Sequence, residues 1–354
     1  MSSILYPLDK SIFTEENISK NVLPYYNLQD ADISMVKFKD TDKQRAVFKI
    51  SLGNKHYCLK KIYFPEEDLL YVYSSLEWLH RNGLYVPNLL SSINRNRFVK
   101  YNNMLFILTP WIEGIKCDFD ILEHVISSII ELAKLHKLSK NFTPILGSSN
   151  REGLEDLHVS TSKHLEQLLG AYNLAFKYGD DFSKNYIHIF DKNLELAKLS
   201  LQTASKINNK DLSASLCHGD YVNKNIIISP SKQIWIIDFD KCKYDYCSHD
   251  LSYFMRRLLK RQKTNWDINI ALSILKSYNL YSHLTSSDLR YIIAYICFPQ
   301  KYWKISRDYY KDINKCNKVT FVTLLNKGNA RVCNQLKFAN SIINIMNDLN
   351  WQLK

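Results

Sequence analysis

Asp220 and Asn225 lie on a short loop in SLCHGDYVNKNIIIS, residues 215–229, and a second acidic cluster follows in IWIIDFD. The apolar runs NIIIS and IWIID, joined by Pro230-Ser231-Lys232-Gln233, read as a β-hairpin. Paired strands lie only about 5 Å apart, so a residue entering one strand and a residue leaving its partner end up close together. Asp220, Asn225 and Asp238 are therefore expected to converge. A few hard oxygen ligands with open positions suit Mg²⁺, which keeps waters and is shared with substrate phosphates. Phosphoryl transfer needs that ion and, separately, a carboxylate that accepts the proton of the attacking hydroxyl. The reading makes Asp220 the base and Asn225 and Asp238 the metal ligands. Taken singly, His-Gly-Asp is a turn and Asp238 an ordinary strand exit; the coincidence of all three features is what carries the chemistry.

The elements that must hold this hairpin follow from hydrophobic periodicity. Residues 33–64 alternate short apolar strands with polar turns, ISMVKF, AVFKISL and HYCLKKIYF, as an antiparallel meander. EEDLLYVYSSLEWLHRNG has helical spacing and stops at Gly83. Two further strand candidates, SSINRNRFVKY and NNMLFILT, complete a small sheet with one helix by residue 109. The chain then turns helical, in ILEHVISSIIELAKLHKLS and across 160–206, with the hairpin as its one strong strand signal. The expected class is α+β in two lobes: residues 1–109, a hinge at 110–114, and a helical lobe over 115–354 carrying the hairpin 218–240.

The 354 residues are 46% apolar, enough to fill a sizeable core, which argues against disorder. No apolar run approaches the roughly 18 residues of a membrane span, and the first thirty residues lack a signal-peptide pattern, so synthesis in a cytoplasm and no membrane partner are expected. Eight cysteines form no CxxC pair and read as reduced, mostly buried thiols. The net charge of +12 admits an anionic partner but is spread evenly, and no aromatic-plus-basic segment of the nucleic-acid-binding kind stands out. The one basic cluster, Arg256 to Lys263, sits at helical spacing and reads as a solvated helix face.

HGDYVNKN followed by IIDFD resembles the loop of the aminoglycoside phosphotransferase and choline kinase group, whose fold is the two-lobed protein-kinase-like one. LCHGDYVNKNIII, DLSYFMRRLLK, DDFSKNY and FPQKYWKISRDYYK further resemble bacterial spore coat proteins of the CotS type, over about residues 14–340. That resemblance implies an endospore former, synthesis in the mother cell, the spore coat as destination and other coat proteins as partners.

It also implies a nucleotide site for ATP or another nucleoside triphosphate. The lysine of the third strand matches Lys60: strand alternation puts Lys60 and Lys61 on opposite faces, and the family's apolar-then-lysine pattern selects Lys60. The glutamate expected to pair with it on the following helix has three candidates, Glu66 and Glu67 at the helix start and Glu77 well inside it, and none falls cleanly on the family spacing. For Glu67, taken as the candidate, a first-turn role favouring the helix dipole weighs equally. In LFILTPWIEG, Pro110 offers a carbonyl to adenine and Ile112 an amide. The turn Lys39–Arg45 contains no glycine and departs from a phosphate-wrapping loop, leaving Thr41 and main-chain amides for contact. His218 is expected to orient Asp220, and Asp250 to brace the loop or cap the helix at 251–260. Asp240 would assist a second metal or face a cationic substrate. Tyr244, Asp245, Tyr246 and His249 lie where an acceptor could approach.

Two readings result. One is an ATP- and Mg²⁺-dependent phosphotransferase acting on a hydroxyl of a small molecule, a sugar or a protein. The other is a coat protein that keeps the fold as a packing module with little or no turnover.

Overall fold

The computed structural model describes residues 10–39 and 44–347. Along the chain come α1 (Glu15–Asn21), β1 (Asp32–Lys39), β2 (Arg45–Leu52), β3 (Lys55–Ile62), α2 (Glu66–Arg81), β4 (Val99–Tyr101), β5 (Met104–Pro110) and β6 (Ile115–Lys116). Next are α3 (Leu122–Leu138), α4 (Leu157–Tyr178), α5 (Asp181–His188), α6 (Phe190–Ala204), β7 (Ala214–Cys217), β8 (Ile226–Ile228), β9 (Ile234–Ile236) and β10 (Lys243–Tyr246). The C-terminal part holds α7 (Cys247–Leu259), α8 (Ile268–Asn279), α9 (Ser286–Cys297), α10 (Gln300–Lys311), α11 (Lys318–Asn329) and α12 (Val332–Asn347). The fold is the expected α+β one, and no described helix is long and apolar enough to cross a membrane.

Two compact units share the chain. The first takes the described residues up to Cys117, then Asn141–Arg151 and Lys224–Cys242; the second takes Asp118–Lys140, Glu152–Asn223 and the residues from Lys243 onward. This division differs from a single cut at residues 110–114, because β8 and β9 pair with β6 and so belong to the first unit. A two-residue strand such as β6 carries no periodicity, so its recruitment of the hairpin could not be anticipated from hydropathy.

The first unit is built on an antiparallel sheet of order β1-β2-β3-β5-β4. Period-two alternation sorts its side chains. Phe48, Leu59 and Leu108, aligned across β2, β3 and β5, are buried with Phe13, Ile18, Val22 and Leu23 of the segment around α1. Their sequence neighbours Val47, Lys60 and Ile107, aligned in the same way, point to the opposite face. Lys61 shares the face of Leu59, where its ammonium is buried and donates to the Gln44 carbonyl at 2.9 Å.

Gly114 fixes the turn into β6. Its φ is +149°, and an added Cβ would lie 2.3 Å from the Ile228 carbonyl oxygen. Gly114→Ala is expected to destabilise this unit by at least about 1–3 kcal/mol, the usual cost of such a backbone conformation in a side-chain-bearing residue. A lowered urea midpoint at unchanged m-value would report it; an unchanged midpoint would show that the β6–β8 pairing gives way freely.

The second unit is mainly helical and contains the short ladder of β7 with β10, Cys217 opposite Lys243 through Ala214 opposite Tyr246. Both strands were missed in the sequence because SLC and KYDY are too short to show alternation. An aromatic cluster in which Tyr186 and Tyr302 stack at 4.4 Å ties α5 to α10.

Candidate active site

In the first unit the face carrying Val47, Lys60 and Ile107 looks onto a cavity of ≈ 340 Å³. Its apolar wall includes Val72, Leu76 and Ile107, and Pro110, Trp111 and Ile112 form its edge where β5 ends. The Trp111 amide is engaged by the His56 carbonyl at 3.0 Å. The other wall is polar, with Asn225, Asp238 and Asp240. Lys37, Arg45, Lys116 and Lys224 surround it. Burial and the repulsion of Lys39 and Lys224 hold the Lys37 pKa below the ordinary lysine value, the mark of a concentrated positive field. An apolar slot next to such a field suits a flat heterocycle joined to several phosphates.

The hairpin sets the polar wall. Ile226 pairs with Ile236, and the Ile237 amide donates to the Asn225 carbonyl at 2.9 Å, which ties Asn225 to the residue before Asp238. Asp238 itself adopts a left-handed conformation, φ 67° and ψ 60°, immediately after the strand. Non-glycine residues seldom do so, and such outliers gather at functional sites. Lys60 Nζ donates to Asp238 Oδ1 at 2.8 Å and to Asp240 Oδ1 at 2.6 Å. Burial works against the ammonium charge, but Asp240 and then Asp238 outweigh it and raise the Lys60 pKa, so the lysine is fully charged at any physiological pH.

The partner of Lys60 is thus not Glu67. That residue is exposed in the first turn of α2, where its backbone carbonyl accepts from Ser149 and where acidic side chains favour the helix dipole. Asp240 takes the place a helix glutamate would have, a role its position two residues past Asp238 does not reveal. Arg151, which sequence reasoning passed over, holds Asp240 in position by donating to its carbonyl at 2.6 Å while lying over Phe64 and Tyr71. The contact spans 89 residues and leaves no local signal. Thr41 lies outside the described residues.

In the second unit, the loop after β7 carries Asp220. Asp250, buried in the first turn of α7, accepts the His218 amide at 2.6 Å and the Gly219 amide at 2.9 Å. It braces the loop and is not the helix cap, which is Tyr246. Gly219 has φ 74°, and the Asp220 amide then donates to His218 Nδ1 at 3.1 Å, so His218 orients the loop through its ring. His136 of α3, also unforeseen, lies behind Asp250 with Nε2 at 3.5 Å and Nδ1 at 2.7 Å from the Tyr278 hydroxyl. Its ring and the thiols of Cys217 and Cys247 place their ligand atoms within 4.8 Å of one another, a cluster invisible to cysteine spacing. All eight cysteines are free thiols; five are buried, Cys58 and Cys316 are half-buried, and Cys333 is exposed.

A model of the phosphotransferase enzyme family (APH) matches residues 30–278. The chain belongs to this family. The match takes in Lys60, Asp220, Asn225, Asp238 and Asp250 and stops before α9. Solved structures agree in fold. An aminoglycoside phosphotransferase from Alicyclobacillus acidocaldarius superposes with a TM-score of 0.76 at 17% identity, over 92% of this chain and 96% of that one. Spectinomycin phosphotransferase APH(9)-Ia, in complex with ADP and spectinomycin, gives 0.63 at 16% identity, over 93% and 98%. Amicoumacin kinase in complex with AMP-PNP and Ca²⁺ gives 0.62 at 14% identity, over 95% of each chain.

In the first unit Lys60 stands opposite oxygen atoms carried by the hairpin and the turn after it. Asp240 Oδ2 is buried and without a hydrogen-bond partner, and Asn225 and Asp238 present further oxygens to the same cavity. Such a donor set fits a hard divalent cation better than a soft one. Asp245, by contrast, is buried and already bonded by Lys243 Nζ at 2.9 Å and His249 Nδ1 at 2.8 Å, so it is not a free acid for a cationic acceptor.

Proposed function

We propose that the protein is an ATP- and Mg²⁺-dependent phosphotransferase that moves the γ-phosphoryl group to an alcohol. The observation that carries this reading is Lys60 reaching the hairpin carboxylates Asp238 and Asp240 at the wall of a cavity with an apolar slot and a basic surround. In this reading Pro110 and Ile112 receive the base, Lys60 anchors phosphate oxygens, and Asn225 and Asp238 hold the divalent ion. The ion, when bound, neutralises charge on the phosphates. Asp220 takes the proton of the acceptor hydroxyl as its oxygen bonds to the γ-phosphorus, and the bond from that phosphorus to the bridging oxygen breaks to release ADP. Relatives of the same fold support the nucleotide: one is described with ADP and another with AMP-PNP and Ca²⁺.

The segments LCHGDYVNKNIII and FPQKYWKISRDYYK support a finer assignment, a CotS-type protein acting in the spore coat with other coat proteins as neighbours. A second reading within that assignment is a structural coat protein with little turnover. It is favoured by Lys60 being closed on two carboxylates with no glutamate of α2 beside it. Thermal melting separates the two. ATP with Mg²⁺ at about a hundred times its Kd should stabilise the fold by about 2.7 kcal/mol and raise the midpoint by several degrees. No shift at millimolar nucleotide would favour the scaffold.

A further inference from the structure

Beside Asp220 the second unit carries a group of cations with no carboxylate assigned to them. The Tyr253 hydroxyl donates to Asp220 Oδ1 at 3.4 Å and accepts from Arg257 Nη2 at 2.5 Å. The Arg257 guanidinium lies 4.6 Å over the Tyr253 ring. One residue earlier on α7, Arg256 donates from Nη2 to the Tyr295 hydroxyl at 3.0 Å and lies 4.3 Å over that ring. Its Nη1 is buried and has no hydrogen-bond partner. Among the described residues Arg256, Arg257, Lys260 and Lys301 form no ion pair, whereas Arg261, on the same stretch, is satisfied by Asp120 at 2.9 Å. The Lys260 pKa is pushed down to about 8, by burial first and then by Lys301, Arg257 and Arg256, which shows the cations acting on one another. Arg257 is exposed and Arg256 half-buried, so this part of α7 is the solvated helix face its spacing suggested, with both guanidinium groups resting on tyrosine rings.

An unpaired guanidinium N–H in a buried setting costs stability unless an acceptor reaches it. Both arginines hold their planes against tyrosine rings, which restricts the directions their donor forks can take. Tyr295 also lines a cavity of ≈ 230 Å³ in this unit, together with Lys243, His164, His249, Tyr291 and the carboxylate-bearing Glu155, a cavity lined by neither arginine. α9, which supplies Tyr291 and Tyr295, lies beyond the residues 30–278 that the family model matches.

We propose that the acceptor is an anionic alcohol, a small polyhydroxy molecule whose carboxylate or phosphate is seated on Arg256 and Arg257 while its hydroxyl is offered to Asp220. The proposal rests on the phosphotransferase reading for the role of Asp220. It excludes polyamine acceptors, because an ammonium group beside these cations meets repulsion in a partly desolvated setting. The transfer leaves the anionic group untouched: the hydroxyl oxygen gains the phosphoryl group, Asp220 gains the proton and ADP departs.

Calorimetric titration of the full chain with glucuronate, glucose 6-phosphate, glucose and inorganic phosphate, at a fixed ionic strength of about 0.15 M to screen unspecific attraction, tests it. The two anionic sugars should bind at least about tenfold more tightly than glucose, a difference of about 1.4 kcal/mol. The double variant R256Q/R257Q should lose that preference, and K198Q/K276Q, which removes as much charge from exposed positions elsewhere, should keep it. Binding of glucose equal to that of the anions, or preference retained in R256Q/R257Q, overturns the proposal. If that variant does not fold, competition in the wild type decides: inorganic phosphate should displace glucuronate, and independent binding of the two would overturn the single anion seat. Failure of the underlying reading looks different, because it would appear as the absence of an ATP·Mg²⁺ melting shift whatever the sugars do.

Discussion

Asp238→Ala lowers Mg²⁺-dependent ATP turnover, followed as release of inorganic phosphate, by roughly 10²–10³-fold or more, the usual cost of removing one preorganised charge-stabilising group. The size of the effect follows from placement. Asp238 leaves β9 in a left-handed conformation, faces the cavity beside Asn225 and is one of two carboxylates held by Lys60. The fold itself should tolerate the change. The Asp238 side chain is 35% exposed, and Lys60 retains Asp240 at 2.6 Å. Arg151 is also unaffected, since it bonds the main chain of Asp240. The melting midpoint without nucleotide should therefore move little while turnover collapses. Turnover at the wild-type rate in Asp238→Ala would remove the hairpin carboxylate from the chemistry.

Asp250→Ala should act on stability instead, by about 3–5 kcal/mol, because it strands the buried His218 amide, the half-buried Gly219 amide and a buried imidazole at once. The same carboxylate predicts a pH profile. Burial raises its pKa, but the hydrogen bond and charge of His136 prevail and bring it down from the ordinary 3.8 to about 2. A carboxylate depressed on folding contributes stability that is complete above its unfolded value and is lost as pH falls from about 4 toward 2. The shift corresponds to about 2 kcal/mol. His136 has the opposite sign. Burial lowers its pKa, but Cys247 and Asp250 outweigh burial and raise it above 6.5. Its contribution is complete below pH 6.5 and is lost as pH rises through the elevated folded value. Urea midpoints across pH should thus fall on both sides of a plateau, and both limbs should flatten in Asp250→Ala. A profile identical to the wild type would show that neither group is linked to folding.

How much of this could be read in the sequence depended on range. Strands β1–β3 and β5 and helix α2 were legible because alternation and helical spacing are local, and the same alternation separated Lys60 from Lys61. The hairpin was legible from NIIIS, the turn and IWIID. The partner of Lys60 was not, because Asp240 reaches it across 180 positions and Glu67 had only its place in a helix to recommend it. Arg151, His136 and the gathering of Cys217 with Cys247 were hidden for the same reason. The basic run on α7 was legible as a helix face open to solvent at Arg257, but spacing cannot say that the two guanidinium groups rest on Tyr253 and Tyr295 or that Tyr253 reaches Asp220.

The central claim is that the cavity bounded by Lys60, Asn225 and Asp238 takes a nucleoside triphosphate together with a divalent ion. Calorimetric titration of the wild type and Asp238→Ala with AMP-PNP, with and without Mg²⁺, tests it most directly. The account predicts affinity at least about tenfold higher with Mg²⁺ in the wild type, and no such gain in the variant. Binding that ignores Mg²⁺, or an equal gain in Asp238→Ala, would contradict it.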